Sequence, residues 1–123
     1  MKIAITSQGN NLECNVDPRF GRCATFIIVD PETLEFNAVE NTMINATTGA
    51  GIQAAQRVAD QNVQAVLTGN CGPKAFRTLQ AAGIAIHTGV SGTIREAIEQ
   101  FNTGTLSADD TANVDGHFGN DSK

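Results

Sequence analysis

The sequence predicts an α/β domain: a five-stranded mixed sheet with helices packed on it, in the order β-β-β-α-β-α-β-α. Three observations lead there. β-rich runs dominate residues 2–41 and are broken by loop and turn chemistry rather than by helical periodicity. Two strand–helix units follow, each a short apolar run, a turn and an amphipathic stretch. After Gly104 the composition turns polar and acidic, so residues 1–104 are expected to form the domain and 105–123 a flexible tail.

Each element has its own signal. Lys2–Thr6 is short, apolar and β-rich, and reads as a buried first strand. Residues 7–20 hold Gly9-Asn10-Asn11, Asp17-Pro18 and Phe20-Gly21, a loop long enough to suggest function. Arg22–Asp30 contains the run Ala24 to Val29 and gives a second strand. Asp30-Pro31-Glu32-Thr33 supplies turn chemistry, and Leu34–Asn41 closes a hairpin with Leu34, Phe36 and Ala38 on one face. After Gly49-Ala50-Gly51, a helix is expected with Ile52, Ala55 and Ala59 on one face and Val58 beside them. Gln64–Thr68 is the fourth strand and Gly69-Asn70-Cys71-Gly72 a turn. Pro73 suits a first helical turn, Ala75, Phe76, Leu79 and Ala82 recur at helical spacing, and Gly83 ends the pattern. Ile84–His87 is the fifth strand. Thr93 and Glu96 fit a capping box, and Ile94, Ala97, Ile98 and Phe101 form the last helical stripe.

Composition narrows the function. The hydrophobic fraction is 41%, enough for an ordinary core in a single domain of 123 residues. A net charge of −5, with neither Trp nor Tyr, argues against nucleic-acid binding. No apolar run approaches a membrane span and no signal peptide is visible, so a cytoplasmic location and no membrane partner are expected. Cys14, Cys23 and Cys71 are odd in number and widely spaced, which suits neither a zinc ribbon nor a disulfide framework.

Two segments carry candidate chemistry. In Gly69-Asn70-Cys71-Gly72-Pro73-Lys74 a strand ends in a glycine-flanked turn that opens a helix. Backbone N–H groups at a helix N-terminus favour anions, and Lys74 adds positive charge. Cys71 would feel the helix field, which lowers a thiol pKa; the alternative is a buried, inert cysteine. In Asp17-Pro18-Arg19-Phe20-Gly21-Arg22-Cys23, Arg19 and Arg22 flank a Phe-Gly turn beside a thiol. They could grip an anion in forked geometry, or Asp17 could pair with one of them on the surface. An antiparallel second strand and a parallel fourth strand would bring both segments, and His87-Thr88-Gly89, to one rim of the sheet. His87 reads more simply as a satisfied strand-end histidine, and His117 as a tail residue that could also fold over a ligand. Nucleophile-elbow and phosphate-loop patterns are absent.

With these residues on the page, the chain resembles the dinitrogenase iron–molybdenum cofactor biosynthesis family. Met1 to Ser7 is similar to its first strand and Asp17 to Arg22 to its Arg/His-Phe-Gly loop. Val66 to Phe76 is similar to its Gly-x-x-Gly-Pro-x-Ala-Phe segment, and Ala81 to Ile84 and Gly92 to Ile98 follow in order. The resemblance spans residues 1–106. It implies a ribonuclease-H-like three-layer fold, a place in a nitrogen-fixation family, and a role in binding or carrying the iron–molybdenum cofactor or its precursors. Orange-protein-like members hold a molybdenum–copper sulfide cluster without dedicated covalent ligation. Arg19, Phe20 and Gly21 and the stretch Gly69 to Lys74 transfer; a histidine ligand does not, because Arg19 precedes Phe20. Nuclease chemistry is not expected, since the first strand has no carboxylate and Asp30 falls at the far end of the second.

The expected function is therefore a non-enzymatic binder or carrier of an anionic metal–sulfur cluster, molybdenum with iron or copper. Its cofactor-binding residues would be Arg19, Phe20, Gly21, Arg22, Gly69, Asn70, Cys71, Gly72 and Lys74, with Cys71 and Cys23 as possible metal ligands. Other cluster-assembly proteins would be its partners. The alternatives are a cofactor-free interaction or regulatory module, and a thiol redox sensor using Cys71.

Overall fold

The computed structural model describes residues 1–42 and 49–109. Its elements are β1 Ile3–Ser7, β2 Thr25–Val29, β3 Phe36–Glu40, α1 Ala50–Ala59, β4 Ala65–Leu67, α2 Pro73–Ala81, β5 Ala85–His87 and α3 Ile94–Asn102. One five-stranded mixed sheet runs in the order β3-β2-β1-β4-β5. β2 is antiparallel to β1 and to β3, while β4 is parallel to β1 and to β5. A helix separates β4 from β5, which is what a parallel neighbour requires.

Strand alternation divides the core in two. Ala4, Phe26, Ile28, Val66 and Ile86 face α1 and α2, where they meet Ala54, Val58, Phe76 and Leu79. Ile3, Ile5, Ile27, Val29 and Leu67 face α3, where they meet Ile94, Ala97 and Ile98. The result is three layers with the sheet in the middle. Burying side chains such as Ile5, Leu67 and Leu79 stabilises the fold by about 1.5–3 kcal/mol each.

Several local expectations shift. β2 begins at Thr25, not Arg22, so Arg22 and Cys23 belong to the loop. The buried Asn41 holds them there, its Nδ2 donating to the carbonyls of Gly21 at 3.2 Å and Cys23 at 2.9 Å. β3 begins at Phe36 because Leu34 takes a left-handed conformation (φ 66°) and closes the turn with its N–H on the Asp30 carbonyl. In α1 the buried face is Ala50, Ala54, Ala55 and Val58, and Ile52 is only half-buried. Beyond α3, residues 105–109 run back to β5; residues 110–123, His117 among them, lie outside the described residues. No helix among the described residues is long and apolar enough to cross a membrane.

Candidate functional site

The loop between β1 and β2 is zipped to the turn that opens α2. Arg19 and Asn70 form a parallel β-bridge, with the Phe20 N–H donating to the Asn70 carbonyl at 3.2 Å. Asn70 Nδ2 donates to the Pro18 carbonyl at 3.1 Å. This approach needs glycine at 69: a Cβ there would stand 2.7 Å from Pro18 Cα and 2.9 Å from its carbonyl oxygen. Beneath the loop, the buried Thr6 hydroxyl donates to the Asp17 carbonyl at 2.7 Å and shares a 2.9 Å bond with the Thr68 hydroxyl. Asp17 is buried, and its Oδ1 accepts from the Arg19 backbone N–H at 2.9 Å. That carboxylate shapes its own loop, which is a different task from pairing with an arginine on the surface.

Two helix N-termini meet the same loop. A Cβ on Gly21 would lie 3.0 Å from Gly51 Cα, in the first turn of α1, and one on Gly51 would lie 3.4 Å from Ala75 Cβ in α2. The N-cap residues are Gly49 in α1 and Gly72 in α2, and neither helix has a side-chain cap or an acidic residue in its first turn. First-turn N–H groups lack intrahelical acceptors, so this corner carries partial positive charge. Arg19 and Lys74 are exposed beside it, and their side chains make no hydrogen bond or ion pair among the described residues. Arg22, Asn70 and Gly72 are half-buried on the same rim. Both candidate segments therefore converge, as the strand directions required.

The buried members have other tasks. Phe20 is 2% exposed and packs on Phe26 with ring centroids 5.5 Å apart, so it anchors the loop to the core. Cys23 is fully buried and its Sγ–H donates to the Phe20 carbonyl at 3.4 Å. Burial, aided by the Asp17 charge, pushes its thiol up to about 12. Burial also pushes Cys71 up to about 12, with the Asp109 charge adding to it. The expected lowering by the helix field is thus outweighed by desolvation. Neutral buried thiols make poor ligands and poor redox sensors. His87 is 8% exposed, lies edge-on to Phe101 at 5.8 Å, and its Nδ1 has no hydrogen-bond partner among the described residues. Among those residues no three His, Cys, Asp or Glu side chains are grouped to hold a metal ion.

Sequence reasoning passed over three contributors. Gly51 could have been found from the Gly49-Ala50-Gly51 run, which marks a helix start able to touch backbone. Asn41 and Asp109 have no local signal; each acts across a long stretch of chain.

The model of the dinitrogenase iron-molybdenum cofactor family matches residues 1–104. An uncharacterised protein of Methanocaldococcus jannaschii is 36% identical over 109 residues, covering 86% of this chain and 89% of the relative. The apo form of the orange protein from Desulfovibrio gigas superposes with a TM-score of 0.89 at 42% identity, covering 92% of this chain and 96% of that one. A candidate NifB protein of the DUF35 family from Thermotoga superposes with a TM-score of 0.80 at 36% identity, covering 94% and 98%.

Proposed function

We propose, from the premise that this chain belongs to the dinitrogenase iron-molybdenum cofactor family, that it binds and carries an anionic metal–sulfur cluster and catalyses no reaction. The cluster is cargo, containing molybdenum with iron or copper. The observation that carries the proposal is the Arg19–Asn70 bridge, which sets Arg19, Asn70 to Gly72 and Lys74 around the uncapped start of α2. N–H groups and cations suit a cluster that brings its own sulfide ligands and negative charge. The donor set fits such cargo better than a metal ligated by protein thiolates, because Cys23 and Cys71 are buried and held protonated. On this reading Arg22 and Gly69 shape the rim, Phe20 and Gly21 fix its loop, and Cys71 is the nearer thiol should one bond form. We read the three layers as ribonuclease-H-like; β1 carries no carboxylate, so the acidic centre of a two-metal nuclease has no counterpart there. Delivery to or from other cluster-assembly proteins follows from a carrier role.

The test is anaerobic reconstitution of the purified chain with tetrathiomolybdate and copper, and separately with iron and sulfide, followed by gel filtration. A coloured species should co-elute with the protein. Replacing Arg19→Gln together with Lys74→Gln should weaken retention about a hundredfold, as loss of two charge-assisted contacts implies. No retained chromophore under any condition refutes the proposal. A cofactor-free interaction module would draw instead on the edge strand β3, where Phe36 is 38% exposed.

A further inference from the structure

The chain that leaves α3 returns to the rim. The Thr105 N–H donates to the Gln100 carbonyl at 3.1 Å, and Leu106 packs against the α3 side of the core. The Asp109 N–H then donates to the Ile86 carbonyl at 2.7 Å. β5 is the last strand of the sheet, so this bond closes part of an edge that would otherwise face water. The carboxylate goes further. Its Oδ2 accepts from the Thr88 backbone N–H at 2.8 Å and from the Thr88 hydroxyl.

Thr88 is not remote from the proposed cradle. It follows β5 directly, and its neighbours tie the strand end to the α2 turn: Gly89 N–H donates to the Gly69 carbonyl at 2.8 Å, and Val90 N–H to the Thr68 carbonyl at 3.1 Å. Asp109 is also close enough to Cys71 for its charge to act on that thiol. A backbone N–H and a hydroxyl converging on one carboxylate oxygen form a small anion site, and the chain supplies its occupant.

We propose that Thr88 is an anion-reading group of the rim and that Asp109 is its tethered occupant, which an incoming anionic cluster must displace. This rests on the cluster-binding reading above. A tethered carboxylate acts at the millimolar effective concentrations typical of short links, so it competes without being tight. Apparent affinity for an external anion is then reduced by the fraction of molecules with the site free. The same carboxylate repels any anion that docks beside it, so release of residues 105–109 and loading of the rim are one coupled event.

The test uses the full chain, with tetrathiomolybdate as the probe and two readouts: its dissociation constant by equilibrium dialysis, and hydrogen exchange at the Thr88 amide. Asp109→Asn should bind tetrathiomolybdate about tenfold more tightly and exchange the Thr88 amide at least several-fold faster. Adding Thr88→Val to Asp109→Asn should give back most of the gained affinity, since the hydroxyl is lost to the incoming anion as well. Faster exchange in Asp109→Asn with unchanged affinity overturns the competitor while leaving the cluster-binding reading intact. Unchanged exchange in Asp109→Ala, which removes the acceptor that Asn would keep, overturns the docked carboxylate itself. If neither the parent chain nor the variants take up the probe, the competitor falls, while the cluster-binding reading stands or falls on the copper and iron reconstitutions.

Discussion

α2 and α3 are both nine residues long, and both start against the β1–β2 loop. Their first turns are finished in opposite ways. At α3, Thr93 Oγ1 accepts from the Glu96 N–H at 3.1 Å and Glu96 Oε1 accepts from the Thr93 N–H at 2.9 Å. The loop adds the carbonyls of Cys14 and Leu12 as acceptors for the N–H groups of Ile94 and Arg95. Nothing is left there for a ligand. At α2 the N-cap is Gly72, Pro73 follows, and no side chain caps the turn. One loop thus closes one helix with carbonyl groups and frames the other with arginine. The difference separates a helix start that serves stability from one available for binding. The contrast matters because each helix buries three residues of its apolar face, so the stripe alone does not tell them apart.

The comparison can be broken experimentally, beginning with the contact that fixes the α2 side. Gly69→Ala drives a Cβ into Pro18 backbone and should destabilise the fold by about 3 kcal/mol, read from urea unfolding, as overpacking of a closed contact does. A loss under about 1 kcal/mol would show that the two loops can part freely. Next come the thiols. Cys71 and Cys23 sit at about 12 in the folded state, above the ordinary thiol value, so folding favours their protonated forms. That contribution is whole below the unfolded thiol pKa and is lost as pH rises toward 12. Stability should fall by about 1.4 kcal/mol per pH unit per thiol once the unfolded thiols ionise. Cys71→Ala should halve the slope measured between about pH 9 and 10.5, where unfolded thiols titrate; an unchanged slope would assign it to other groups.

Exchanging the two caps gives smaller but opposite effects. Thr93→Ala removes the α3 capping box and should cost about 1 kcal/mol without changing tetrathiomolybdate uptake. Gly72→Asp fits the extended backbone at φ −76°, ψ 170° and should stabilise α2 by about 0.5 kcal/mol. The same carboxylate should weaken tetrathiomolybdate binding about tenfold by occupying the helix start. Equal or tighter binding in Gly72→Asp would sever the link between an open cap and function. The smallest effect belongs to the α3 surface. Arg95 and Glu13 pair at 2.6 Å with both side chains largely exposed, and Glu13→Gln should move the unfolding midpoint hardly at all.

Much of this was legible because the signals are local. Short apolar, β-rich runs marked the strands, Thr93 with Glu96 the α3 cap, and Gly69 to Lys74 the start of α2. The convergence of Arg19 with Asn70 needed only strand directions, which short connections and one helical crossover determine. What stayed hidden was which side chains point inward. Phe20 and Cys71 lie in segments that look like binding loops, yet each turns into the core, and a loop has no periodicity from which to read that. The same holds for Asn41 and Asp109, whose partners lie about twenty residues away in sequence: Asn41 with Cys23, and Asp109 with Thr88. His87 Nδ1 has no hydrogen-bond partner among the described residues, against the expectation of a satisfied strand-end histidine; the ring packs perpendicular to Phe101, which has no polar atom to offer.

The Arg19–Asn70 bridge has a bearing on the order of events during synthesis. Its two sides are joined by β1–β4 pairing and by the closure of some fifty residues of chain, a non-local contact with a larger loop-closure cost than hairpins or helices. A chain still lacking α2 has the arginine loop pinned by Phe20 and Asn41, but no helix start beside it. On the cluster-binding proposal, cargo offered to such a nascent polypeptide meets half a cradle, so a failed loading reaction is as much a report on chain maturity as on the metal supplied.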